Sequence, residues 1–135
     1  WTALHVARDA FFEHVLATPP VLVHTASDGE RARVNAMAEH VLPVSARAAG
    51  LIDDTRLGKS LKPYPLESIR APTLAISARD DGFGTFVGAQ QTASRIPGAR
   101  FIGYDSGGHL FVGHGEELIR AIVDWLKPRF PAAGA

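Results

Sequence analysis

Cysteine is absent from the 135 residues. That excludes disulfides, thiolate nucleophiles and thiolate metal sites, and it leaves the redox compartment unread. An excess of charge of one sign is lacking too, since Lys plus Arg and Asp plus Glu each number 14. No net field draws nucleic acid or an anionic membrane to the chain, and no basic run marks a patch for either. No apolar run approaches the roughly 18–20 residues of a membrane span, and no charged-then-apolar leader opens the sequence. A soluble protein is expected, cytoplasmic by default. What is present suits one compact globular unit, with 46% hydrophobic and 21% charged residues. The chain opens at Trp1 directly in a helical pattern, as a sequence cut within a larger structure does.

The amino-terminal part reads as helical. Leu4, Ala7, Phe11 and Val15 form one stripe of a helix over 3–17, which Pro19 and Pro20 stop. After the short apolar stretch Val21–Val23, Ser27 and Glu30 have the spacing of a capping box, followed by Val34, Met37 and Val41 on a helix over 29–41. Pro43 ends that helix, and Ser45 can cap a short one through Ala49, closed by Gly50. From Leu51 to Ile69, Asp53, Asp54, Gly58, Pro63 and Pro65 read as linker.

The carboxyl-terminal part reads as α/β. Residues 72–77 are a nearly continuous apolar run, the pattern of a strand buried on both faces in a parallel sheet. A helical stripe over 85–96 carries Phe86, Ala89, Ala93 and Ile96, and 100–104 reads as a second strand. Strand, helix, strand is a crossover that lays both strands parallel and ends them at one edge of the sheet. A last helix over 115–127 places Leu118, Ile119, Ile122, Val123 and Leu126 on one face, with Glu116 and Glu117 at its positive start.

Asp80-Asp81 follows the first strand and His109 the second, so an acid and an imidazole meet at the edge where open α/β sheets bind ligands. A carboxylate that accepts the Nδ1 proton fixes the tautomer and leaves Nε2 as a general base. Locally, either aspartate also serves as a turn or helix cap, and His109 as a loop residue bonded to backbone. Gly107-Gly108 lets the chain turn sharply before the histidine. Two rivals compete for these residues. A zinc site of Asp80, Asp81, His109 and His114 lacks the His-Glu-x-x-His spacing, and His114 reads as a surface loop residue. A phosphoacceptor site needs a further Asp and a Lys at other strand ends, and neither is evident. His5, His14, His24 and His40 read as surface residues.

The stretch Arg70-Ala71-Pro72-Thr73-Leu74-Ala75-Ile76-Ser77-Ala78-Arg79-Asp80-Asp81 resembles the segment of α/β-hydrolases in which an apolar strand after Ala-Pro-Thr leads to the catalytic acid. The family places a small residue three positions before that acid. Ala78 holds this place, so the resemblance selects Asp81. Ser106-Gly107-Gly108-His109 is similar to the family's turn ending in the catalytic histidine, and the helix through Trp125 and Leu126 to its terminal helix. The likeness covers residues 66–127. More loosely, residues 1–50 resemble the helical lid inserted before the acid-bearing strand.

The resemblance implies a partial α/β-hydrolase fold, with lid and linker over 1–65 and the carboxyl-terminal part of the core over 66–135. It implies Asp81 and His109 as acid and base for hydrolysis of an ester or related acyl bond in a small-molecule substrate, without a cofactor or metal. Phe83, Phe86, Leu110 and Phe111 are candidates for an apolar pocket, and equally for core. The family's Gly-x-Ser-x-Gly nucleophile elbow does not occur. Ser27, Ser45, Ser60, Ser68, Ser77, Ser94 and Ser106 all lack that context. The chain alone is therefore expected to be inactive, and to need the family's amino-terminal half or self-association. The alternative is a binding or regulatory remnant of a hydrolase.

Overall fold

The computed structural model describes residues 7–129, the side chain of Lys59 excepted. Three helices, α1 (Arg8–His14), α2 (Pro20–Thr25) and α3 (Asp28–Val41), form an amino-terminal arm. A 3₁₀ turn at Val44–Arg47 leads into α4 (Ala48–Ser60), and a second at Leu66–Ser68 precedes β1 (Leu74–Ala78). The order then runs α5 (Thr85–Arg95), β2 (Arg100–Tyr104) and α6 (Gly115–Leu126). The mixed α/β class stands, with two parallel strands in register from Leu74 opposite Arg100 to Ala78 opposite Tyr104. No described helix is long and apolar enough to cross a membrane.

Several expected boundaries change. The first helix covers Arg8–His14 instead of 3–17, with residues 3–6 outside the described range. Pro20 opens α2 instead of merely ending a helix, because its missing N–H is not needed in a first turn and its φ already suits one. The 51–69 stretch is not all linker. Helix α4 runs through Gly50, Asp53, Asp54 and Gly58 to Ser60, because each interior glycine costs only about 1 kcal/mol against Ala, and Ala, Leu, Arg and Lys around them favour helix. The capping box is half formed. Ser27 Oγ accepts the Glu30 amide at 3.3 Å, but the Glu30 carboxylate turns away to Arg33 and to the amide of Gly113.

Helix α5 packs across both strands, burying Phe86 and Ala93, with Ile96 buried just past its end. Phe86 meets Phe101 edge to face at 5.4 Å. Gly103 is the residue that lets this happen, since a Cβ there would lie 2.9 Å from both rings. The second core joins distant parts of the chain: Phe11, Phe12, Leu16, Val23, Val34 and Ala38 of the arm enclose Leu110 and Val112, which follow His109. The arm is thus packed on the histidine loop. The apolar face of α6, by contrast, stays largely open, with Ile119 60% and Val123 40% exposed.

Candidate functional site

Strand β1 ends at Ala78, and the chain turns at once, with the Asp81 amide donating to the Ala78 carbonyl at 3.3 Å. The turn brings the Asp81 carboxylate under the start of α5. Its Oδ1 accepts the Phe83 amide at 2.9 Å, and its Oδ2 accepts the Thr85 hydroxyl at 2.5 Å. Since the Thr85 proton goes to the carboxylate, the Ser77 hydroxyl, 2.8 Å from Thr85 Oγ1, must donate to it. The residue Asp81 is only 8% exposed.

The loop after β2 delivers His109 to the same place. Gly107 and Gly108 take φ of 132° and 61°, values that favour glycine. Their amides donate to the two oxygens of Asp80, at 3.2 and 2.8 Å. His109 Nδ1 then lies 3.0 Å from Asp81 Oδ2. With an ionised carboxylate as acceptor, Nδ1 carries the proton and Nε2 of the neutral ring is left as a base. The imidazole side chain is 46% exposed, whereas that of Asp81 is 4% exposed, and Nε2 has no hydrogen-bond partner among the described residues. Burial pushes the Asp81 carboxyl up, but the hydrogen bonds from His109, Thr85 and the Phe83 amide outweigh it and hold the group below its ordinary range.

The two neighbouring aspartates therefore divide the work. Asp81 orients the imidazole, and Asp80 shapes the loop that presents it. Of the candidate pocket residues, Phe83 stands beside the dyad, its ring edge-on to His109 at 4.8 Å, and is 57% exposed. The other three are engaged in packing. Phe86 lies between α5 and the sheet, Leu110 is in the core shared with the arm, and Phe111, at φ 52°, meets Tyr104 at 5.9 Å. His114 lies in the loop just before α6, at its N-cap position but without a side-chain capping bond, and is half-buried, its ring 4.4 Å from that of Tyr104. No group of three or more His, Asp or Glu able to hold a metal occurs among the described residues. A cleft of about 960 Å³ lies elsewhere, between the starts of α3 and α6, lined by Ser27, Glu30, Arg33, Gly115 and Arg120 among others.

Sequence reasoning missed the supports. Thr85, four residues past the acid at a helix start, carried a legible signal as a hydroxyl donor. The contacts of the arm carried none. The Ala17 carbonyl accepts the amides of both Gly82 and His109, at 2.9 and 3.2 Å, and Thr18 Oγ1 accepts the Leu110 amide at 3.2 Å.

No family model matches the chain. Over 71 residues, 52% of its length, the chain is 38% identical to the polyketide synthase ThaQ of Burkholderia thailandensis. The matched stretch is 3% of that protein.

Proposed function

We propose that this chain supplies the acid and the base of an acyl hydrolase with a partial α/β-hydrolase fold, and that the nucleophile comes from a segment outside these residues. The observation that carries the reading is the 3.0 Å contact of His109 Nδ1 with Asp81 Oδ2 at the carboxyl ends of two parallel strands, with the ring half-exposed. Nε2 takes the proton of a hydroxyl nucleophile as that oxygen attacks an acyl carbonyl, and returns it to the leaving group as the tetrahedral intermediate collapses. The imidazolium formed in between is stabilised by the buried Asp81 carboxylate. Phe83, beside the ring, screens one side of the reacting atoms. The likeness to a stretch of a polyketide synthase makes acyl esters and acyl thioesters the first substrates to try.

The test is reconstitution. The chain is mixed with the nucleophile-bearing amino-terminal half of an α/β-hydrolase, and release of acid from p-nitrophenyl acyl esters and acyl thioesters is followed. Activity is expected only in the mixture, and His109→Ala or Asp81→Asn should lower it by about 10²- to 10⁴-fold. A mixture whose rate ignores both substitutions would sink the catalytic reading and leave a non-catalytic binding remnant in its place.

A further inference from the structure

We propose that the helical arm is the positioning device of the dyad, with the Glu30–Arg33 ion pair on α3 clamping the main chain just beyond His109. The proposal rests on the reading of Asp81 and His109 as acid and base. Arg33 Nη2 donates to the carbonyls of Leu110 and Phe111, at 3.0 and 3.4 Å, across more than seventy residues of chain. The same guanidinium holds Glu30 through Nε at 2.9 Å and Nη2 at 2.5 Å. Glu30 Oε1 in turn accepts the amide of Gly113 at 2.9 Å. The ion pair thus binds the loop from both sides: two carbonyls accept from Arg33, whose Nη2 protons are shared with Glu30, and one amide donates to Glu30. The side chains of Arg33 and Glu30 are 28% and 14% exposed, so water competes poorly for these bonds.

A second set of contacts ties the arm to both halves of the dyad. The Ala17 carbonyl accepts the amides of Gly82, next to the acid, and of His109 itself. Ala17 adopts φ 47°, uncommon for a residue with a side chain, and this directs its carbonyl to both amides. The fit leaves no slack: a Cβ on Gly108 would lie 2.8 Å from Thr18 Cα, and one on Gly82 3.1 Å from Ala17 Cα. Apolar packing of Leu110 and Val112 presses the loop on the arm but fixes no direction along it. The directional bonds from Glu30, Arg33, Ala17 and Thr18 supply that. Glu30, Arg33, Ala17 and Thr18 are positioning residues: their bonds go to the main chain of the histidine loop and of Gly82, not to the imidazole or the Asp81 carboxylate.

The readout is the imidazole Nδ1 proton of His109, followed by NMR in the chain as it stands, through its resonance and its exchange with solvent. Arg33→Gln should speed that exchange by about tenfold or more and broaden the signal, and the exchange of the Gly113 amide should rise with it. Arg31→Gln is the control, because among the described residues the Arg31 side chain bonds only to Asp28 and to the carbonyls of His24 and Ala26, all within the arm. It should lower stability and leave the His109 proton unmoved. If Arg33→Gln does not fold, Glu30→Gln gives the same reading more gently, since its amide oxygen can still accept from Gly113. Equal exchange in wild type, Arg33→Gln and Glu30→Gln would overturn the positioning role. A wild-type resonance that is absent, or indifferent to Asp81→Asn, would instead sink the dyad on which the role depends.

Discussion

Asp81 carries opposing influences, burial and three donors, and their balance sets how stability responds to acid. Its carboxyl is held below the ordinary value in the folded chain. The group thus adds stability that is fully present above its unfolded pKa, near 3.8, and disappears as pH falls through the lower folded value. Urea unfolding of wild type and Asp81→Asn should give a constant difference above about pH 5 that closes toward pH 2. A difference that widens in acid would mean that burial, not hydrogen bonding, wins at this carboxyl. Thr85→Val removes the shortest of the three bonds and strands the Ser77 hydroxyl as well. We expect a loss of about 2 kcal/mol by the same unfolding measurement, the usual worth of a bond to a charged acceptor. The pairing of Asp81 with His109 was legible because each lies a few residues past a strand. The clamp by Arg33 was not, because its partners in the histidine loop are main-chain atoms far along the sequence, which no local pattern encodes.

Among the elements, the strands and the crossover helix were the most legible. The 72–77 run became Leu74–Ala78, and 100–104 and 85–96 were nearly unchanged, because an apolar run and a helical stripe mark a strand and the helix that covers it; the expected burial of the strand on both faces is not reached, since Leu74, Ala75 and Ile76 are only half-buried. Helix α4 was misread as linker because it buries so little. Leu51, Ile52 and Leu57 are all more than half exposed, so no apolar stripe contrasts with a polar face, and two glycines and two aspartates mimic turn chemistry. The start of α3 tests the half-formed capping box. Ser27→Ala should cost about 1 kcal/mol. Glu30→Ala should cost more, because its carboxylate serves the histidine loop instead of the cap, and hydrogen exchange at Gly113 would separate the two. Gly108→Ala probes the same junction from the other side. At φ 61° and with Thr18 Cα in its way, the new methyl should destabilise by about 2 kcal/mol or more and displace His109.

At the scale of the whole molecule, one edge of β1 has no partner strand among the described residues. Arg79 donates to Tyr104 and Thr73 accepts from Arg100, so odd-numbered residues of β1 turn their main-chain groups to β2. Leu74 and Ile76 therefore turn theirs to the opposite edge, where no described strand lies. Leu74 and Ile76 also line, with Ile122, Trp125 and Leu126 of α6, a groove of about 430 Å³. An open edge flanked by apolar surface pairs with another strand, and two strands alone are marginal. On the reading proposed above, the strand added here belongs to the segment that brings the nucleophile; without it, the chain should self-associate through the same edge. Sedimentation over a range of concentrations should show a mass that rises with concentration. Leu74→Pro removes one outward N–H at the first residue of the strand, where proline is tolerated, and should return the chain to monomer with β1 and β2 still paired. Ala75→Pro instead takes a donor from the ladder to β2 and should cost stability with no selective effect on association. A wild-type chain that is monomeric at every concentration and unfolds cooperatively would show that the β1 edge needs no partner, and the nucleophile-bearing strand would then have to approach from elsewhere.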